Sequence, residues 1–146
     1  MPSYCLANAT DVATCRNPTG WAFYHSGGLV PKGVEGWRKD EINPGSFRLQ
    51  RLANGDYDIS VTDANQSPFS LRGDGGEVIF MRSGPDNATF LHFFKGKVIE
   101  LYTFWVSVDG KLRFDLIQSK GGATSPVHKS AVMVGDCSSI KFELLK

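Results

Sequence analysis

Between Thr89 and Gln118 the chain reads TFLHFFKGKVIELYTFWVSVDGKLRFDLIQ, three apolar stretches separated by polar, glycine-containing breaks at Lys95-Gly96 and Asp109-Gly110. The density of aromatic and β-branched residues and the spacing of the breaks predict three antiparallel strands in a meander. A two-residue type I′ turn at Asp109-Gly110 sets Trp105 opposite Phe114 and Thr103 opposite Leu116. The same turn at Lys95-Gly96 sets His92 opposite Ile99 and Phe90 opposite Leu101. Side chains alternate across a strand, so this register gathers Phe90, His92, Phe94, Ile99, Leu101, Trp105, Leu112, Phe114 and Leu116 on one face, assigned to the core. The other face carries Glu100, Tyr102, Phe104, Arg113 and Asp115 among Leu91, Phe93, Val98, Val106 and Ile117. It is too apolar for a plain wetted surface and too charged for a sealed core. A barrel lumen, a surface under the N-terminal segment and a contact face for a second chain are all open to it.

Upstream, Phe47 and Leu49 alternate with Arg48 and Gln50, Asn54-Gly55 turns the chain, and Tyr57, Ile59 and Val61 alternate with Asp58, Ser60 and Thr62, a second hairpin. Phe69 and Leu71 read as a short strand that Gly73-Asp74-Gly75-Gly76 turns into Glu77–Arg82. Residues 1–45 read as an irregular segment with one or two short strands, the first at Trp21–His25. Residues 119–146 read as a loop and closing strands, Ala131–Val134 and then Ile140–Leu144. Ser125-Pro126 and Gly135 also fit the two ends of a helix. The whole is one all-β domain, with the meander at 46–118. Its edges need covering, so the first expectation is closure as an up-and-down β-barrel and the second a two-sheet β-sandwich.

Composition narrows the function. The chain has 146 residues, 41% hydrophobic and 21% charged, and its net charge of +1 lacks the basic excess of a general nucleic-acid binder. No apolar stretch approaches the ~20 residues of a membrane-spanning helix. Met1-Pro2-Ser3 opens no signal-peptide pattern, which suits a cytoplasmic protein or a mature periplasmic or secreted one. Cys5, Cys15 and Cys137 lack C-x-x-C spacing; Cys5–Cys15, Cys15–Cys137 and three free thiols stand as alternatives.

Candidate chemistry is sparse. His25, His92 and His128 have no zinc-ligand spacing, the glycine-turn acids lack a calcium-loop pattern, and no cofactor motif is present. His92, between Leu91 and Phe93, reads as a core histidine bonded to a neighbour. Glu100 beside Tyr102 and Phe104 suggests a carboxyl whose pKa burial raises.

The consecutive hairpins from about Ser46, with Gly20-Trp21 early and Cys137 late, resemble the calycin architecture of lipocalins and fatty-acid-binding proteins. The lipocalin signature of glycine, any residue, tryptophan is matched by neither Gly20-Trp21 nor Gly36-Trp37, so no site residue is carried over. The resemblance implies a small apolar ligand inside the barrel. The leading expectation is a non-enzymatic module binding such a ligand at Glu100, Tyr102, Phe104, Arg113 and Asp115, with no cofactor. The alternative is an interaction or structural module, a homodimer using the second apolar face of strand 98–108. An isomerase- or hydrolase-type enzyme ranks third, because it needs His92 or Glu100 facing an open cavity beside a second polar group.

Overall fold

A computed structural model describes residues 8–64 and 67–145. Its strands are β1 (Thr10–Tyr24), β2 (Gly36–Glu41), β3 (Gly45–Arg51), β4 (Tyr57–Asp63), β5 (Phe69–Ser70), β6 (Glu77–Ser83), β7 (Asn87–Phe94), β8 (Val98–Val106), β9 (Leu112–Lys120) and β10 (Lys129–Ile140). They form one antiparallel sheet in the order β5-β4-β3-β1-β10-β9-β8-β7-β6, with β2 paired to β1 beside it. The all-β, up-and-down expectation holds, and one curled sheet takes the place of the sandwich.

The curl brings β4 and β6, far apart in the sheet order, face to face. No ladder joins them among the described residues. The Tyr57 and Phe80 rings meet with centroids 5.4 Å apart. Arg72 spans the same seam, its Nε donating to the Tyr57 carbonyl at 2.6 Å and its Nη2 to the Val78 carbonyl at 2.7 Å. A planar guanidinium presents donors in a fixed fork, so one side chain satisfies edge carbonyls of both strands. Asp58, 2% exposed, anchors the approach by accepting from the Arg72 N–H and the Ser70 hydroxyl.

The Asn54-Gly55 hairpin forms as expected, with Phe47 opposite Val61 and Leu49 opposite Ile59. The two central turns do not. Phe104, not Trp105, lies opposite Phe114, and Tyr102 lies opposite Leu116. His92 faces Glu100, and Phe90 faces Tyr102. A type I′ turn needs positive φ at both central residues, and only the glycines, Gly96 and Gly110, adopt it here. Each loop holds one more residue than the expected turn; at the second, the Gly110 N–H donates to Ser107 and the Ser107 N–H to Lys111. One added residue on each side reverses β8 alone. Trp105, Ile99 and Leu101 therefore leave the core face, while Glu100, Tyr102 and Phe104 enter it.

The termini also differ from expectation. The supposedly irregular N-terminal segment holds β1, a 15-residue strand at the middle of the sheet. Its first half pairs with β3 and its second half with β2. Register shifts fall between Asp11 and Ala13, between Thr14 and Cys15, and across Asn17, at φ 50°, and Pro18, so buried positions do not alternate and no clean period shows in the sequence. At the other end β10 runs unbroken to Ile140 as strand rather than helix. The expected last strand is instead a 3-10 turn, Phe142–Leu144, packed on the core with Leu145. Cys15 and Cys137 oppose one another across β1 and β10 and form a disulfide. Cys5 lies outside the described residues.

Candidate functional site

The barrel interior divides along its length. Near the 107–111 hairpin, Phe47, Phe90, Phe104 and Phe114 are fully buried and touch ring to ring at centroid distances of 5.2–6.1 Å. Tyr57 and Phe80 extend this aromatic packing to the seam. Toward the 94–98 hairpin and the 121–128 loop the filling stops, and a cavity of about 590 Å³ remains. Phe47, Val61, Phe69, Leu71, Phe94, Val98, Leu116 and Met133 give it apolar walls, and Lys97, Lys120, Lys129, Asp40 and Asp74 surround them.

One polar cluster sits in this apolar lining. His92, Glu100 and Gln118 occupy facing positions on β7, β8 and β9, which sets them side by side across the sheet. Glu100 Oε1 lies 2.7 Å from His92 Nδ1 and accepts from the Tyr102 hydroxyl at 3.2 Å. Its Oε2 accepts from Gln118 Nε2 at 2.6 Å. Exposures of 2–8% place all four residues inside. Burial pushes the Glu100 carboxyl up, but the His92, Gln118 and Tyr102 hydrogen bonds and the His92 charge outweigh it and hold the group below the ordinary carboxylate range. Burial first, then the Glu100 charge and hydrogen bond, push the Tyr102 phenol well above its usual value. The expectation of a raised Glu100 pKa is thus reversed.

His92 is held from behind as well. A Cβ built on Gly76 would lie 2.4 Å from His92 Nε2, so only a glycine lets the 71–76 turn pack onto the imidazole. Lys120, inward on β9 near the mouth, is depressed by burial and then by Lys129. Lys129 pairs with Asp40 at 2.6 Å.

Of the five residues expected at the site, the structure brings Glu100, Tyr102 and Phe104 to the interior, with Phe104 in the packed half. Arg113 and Asp115 lie on the outer surface, because β9 presents Phe114, Leu116 and Gln118 inward. Arg113 there approaches Asp136 at 3.7 Å. The expected register sets His92 on the opposite face from Glu100 and leaves Gln118 out of the site; the actual β8 register is what joins them. Among the described residues no group of three or more His, Cys, Asp or Glu side chains is arranged to hold a metal ion. Among the described residues no helix is long and apolar enough to cross a membrane. Comparison of the chain with protein-family models, curated proteins and solved structures finds no match to any of them.

Proposed function

We propose that the protein binds one small, largely apolar molecule inside the barrel and does no chemistry on it. The half-filled interior supports this reading. Aromatic side chains pack one end solidly and leave about 590 Å³ at the other, within the range of about 300–1,000 Å³ that suits a small-molecule site. Apolar walls with one compact polar cluster are the usual form of such a site. The cluster argues against acid–base catalysis although it meets the geometric condition for it. Glu100 accepts from three protein donors and is held below the carboxylate range, whereas a working general base needs a pKa near the operating pH.

The outer face supports the interaction reading less well. Trp21, Val132, Ile117, Leu101, Leu91 and Ile79 lie in register across six strands. Five spacings of about 4.8 Å make a band about 24 Å wide, and one residue row about 7 Å deep gives an area on the order of 170 Å²; the neighbouring rows bring in Ser119 and Ser130 on one side and Asp115, Thr103 and Thr89 on the other. That area is below the largest patch of an ordinary monomer, about 300–600 Å². It is well under the ~800 Å² per partner that a stable dimer buries. Interior binding therefore ranks first.

Nile red, an uncharged apolar dye, tests the proposal. At about 0.3 kcal/mol per non-hydrogen atom its roughly two dozen atoms give a Kd on the order of 10 µM. One saturable site is expected, weakened by Val98→Phe, which narrows the lumen, with the fold intact by circular dichroism. A folded V98F protein that binds the dye unchanged would refute an interior site.

A further inference from the structure

Three lysines line the cavity, and two of them are engaged. Lys129 Nζ sits 2.6 Å from Asp40 Oδ2 and lies over the Tyr24 ring. Lys97 Nζ lies 4.7 Å from the centre of the Phe94 ring. Lys120 stands between Val98 of β8 and Lys129 of β10, on the inward side of β9. It is half-buried and has no hydrogen bond, ion pair or ring contact among the described residues. Burial and then the Lys129 charge lower its pKa, against a smaller opposite pull from Glu100 and Asp40. A desolvated amine beside a second cation is how a lysine is kept partly neutral, and so nucleophilic.

Resting on the ligand-binding reading above, we propose that Lys120 Nζ captures an apolar aldehyde as a reversible imine at the mouth of the cavity, with the aldehyde's chain against Val98, Leu116 and Met133. The ammonium first gives its proton to solvent. The amine then adds to the carbonyl carbon, and one proton passes from nitrogen to oxygen. The carbinolamine loses its hydroxyl and the remaining N–H hydrogen as water while the C=N bond forms. Hydrolysis returns amine and aldehyde unchanged, so the protein binds without catalysing. The imine is uncharged, which removes both the repulsion from Lys129 and the cost of a half-buried ammonium. An anion would be the other answer to an unpaired lysine. The three lysines and His92 meet five carboxylates in the same lining, so the cavity holds no excess of positive charge for one.

The experiment treats the intact protein with decanal and sodium cyanoborohydride, which reduces the imine and fixes a decyl group on the amine. Peptide mass mapping then locates the label. Lys120 is expected to be labelled roughly tenfold faster than exposed Lys95 and Lys111, a barrier lower by about 1.4 kcal/mol. Saturating Nile red is expected to slow Lys120 and leave the two exposed lysines unaffected. Lys120→Arg keeps the cation without a nucleophilic amine and is expected to lose the fast phase. Equal labelling of Lys120, Lys95 and Lys111, a fast phase that survives in folded K120R, or Lys120 labelling that bound Nile red does not slow would each overturn the inference while leaving interior binding intact. Failure of Nile red to bind at all would end both.

Discussion

His92 Nδ1 and Glu100 Oε1 lie 2.7 Å apart on directly opposed positions of β7 and β8, sealed from solvent between the aromatic core and the cavity. Because the carboxylate is held below its ordinary pKa near 4.5, its contribution to stability is present above that pH. It is lost as pH falls through the lower folded value. Glu100→Leu removes the acceptor shared by three buried donors and is expected to cost about 3 kcal/mol or more at neutral pH. Urea unfolding at pH 7 and at pH 3 checks this: the gap between wild type and E100L should narrow on acidification. An equal gap at both values would contradict the ionised assignment.

Gly76→Ala places a methyl where the His92 ring stands, at 2.4 Å. Either the 71–76 turn lifts or the imidazole shifts. Overpacking of this kind costs about 1–3 kcal/mol, and the His92 ring signals in a proton–nitrogen spectrum should move. Unchanged stability together with unchanged His92 signals would show that the turn does not bear on the ring.

Arg72 is the polar link across the seam, so Arg72→Ala leaves the Tyr57 and Val78 carbonyls without that donor. A loss of about 2–3 kcal/mol is expected, the scale of hydrogen bonds made by a charged group. Amide exchange should quicken first in β4 and β6. Uniform acceleration across all strands would mean the seam opens only with the whole domain.

The Cys15–Cys137 bridge joins residues 122 apart in sequence. Loop-closure entropy for such a span gives about 4–5 kcal/mol, so the paired Cys15→Ala, Cys137→Ala variant should unfold at markedly lower denaturant. Alkylation of the native protein should label at most one thiol, and three after reduction in urea. Three labelled without reductant would remove the bridge.

The strands themselves were legible, because alternation at Phe47–Leu52 and Tyr57–Val61 and the glycine breaks at residues 96 and 110 mark strand and turn independently of packing. The pairing of β8 was not. Ile99, Leu101 and Trp105 are as apolar as Tyr102, Phe104 and Val106, so the pattern carries no parity signal and a single loop residue decides the face. The expected register offers Glu100 and Tyr102 to a lumen, yet sets Arg113 and Asp115 beside them and His92 opposite. β1 escaped notice because Asn17 and Pro18 break its period where it changes neighbours.

The pairing of β1 with β10 has a consequence for how the protein is made. β1 precedes the other described strands in the chain, yet one of its two flanks stays open until β10 has been synthesised. Consecutive hairpins can zip up during translation, but the set of contacts around β1 can be completed only once β10 has emerged. Long-range closure of this kind is slow and leaves strand edges exposed while it waits. The nascent chain is thus most vulnerable to wrong partners during the interval between its first strand and its last.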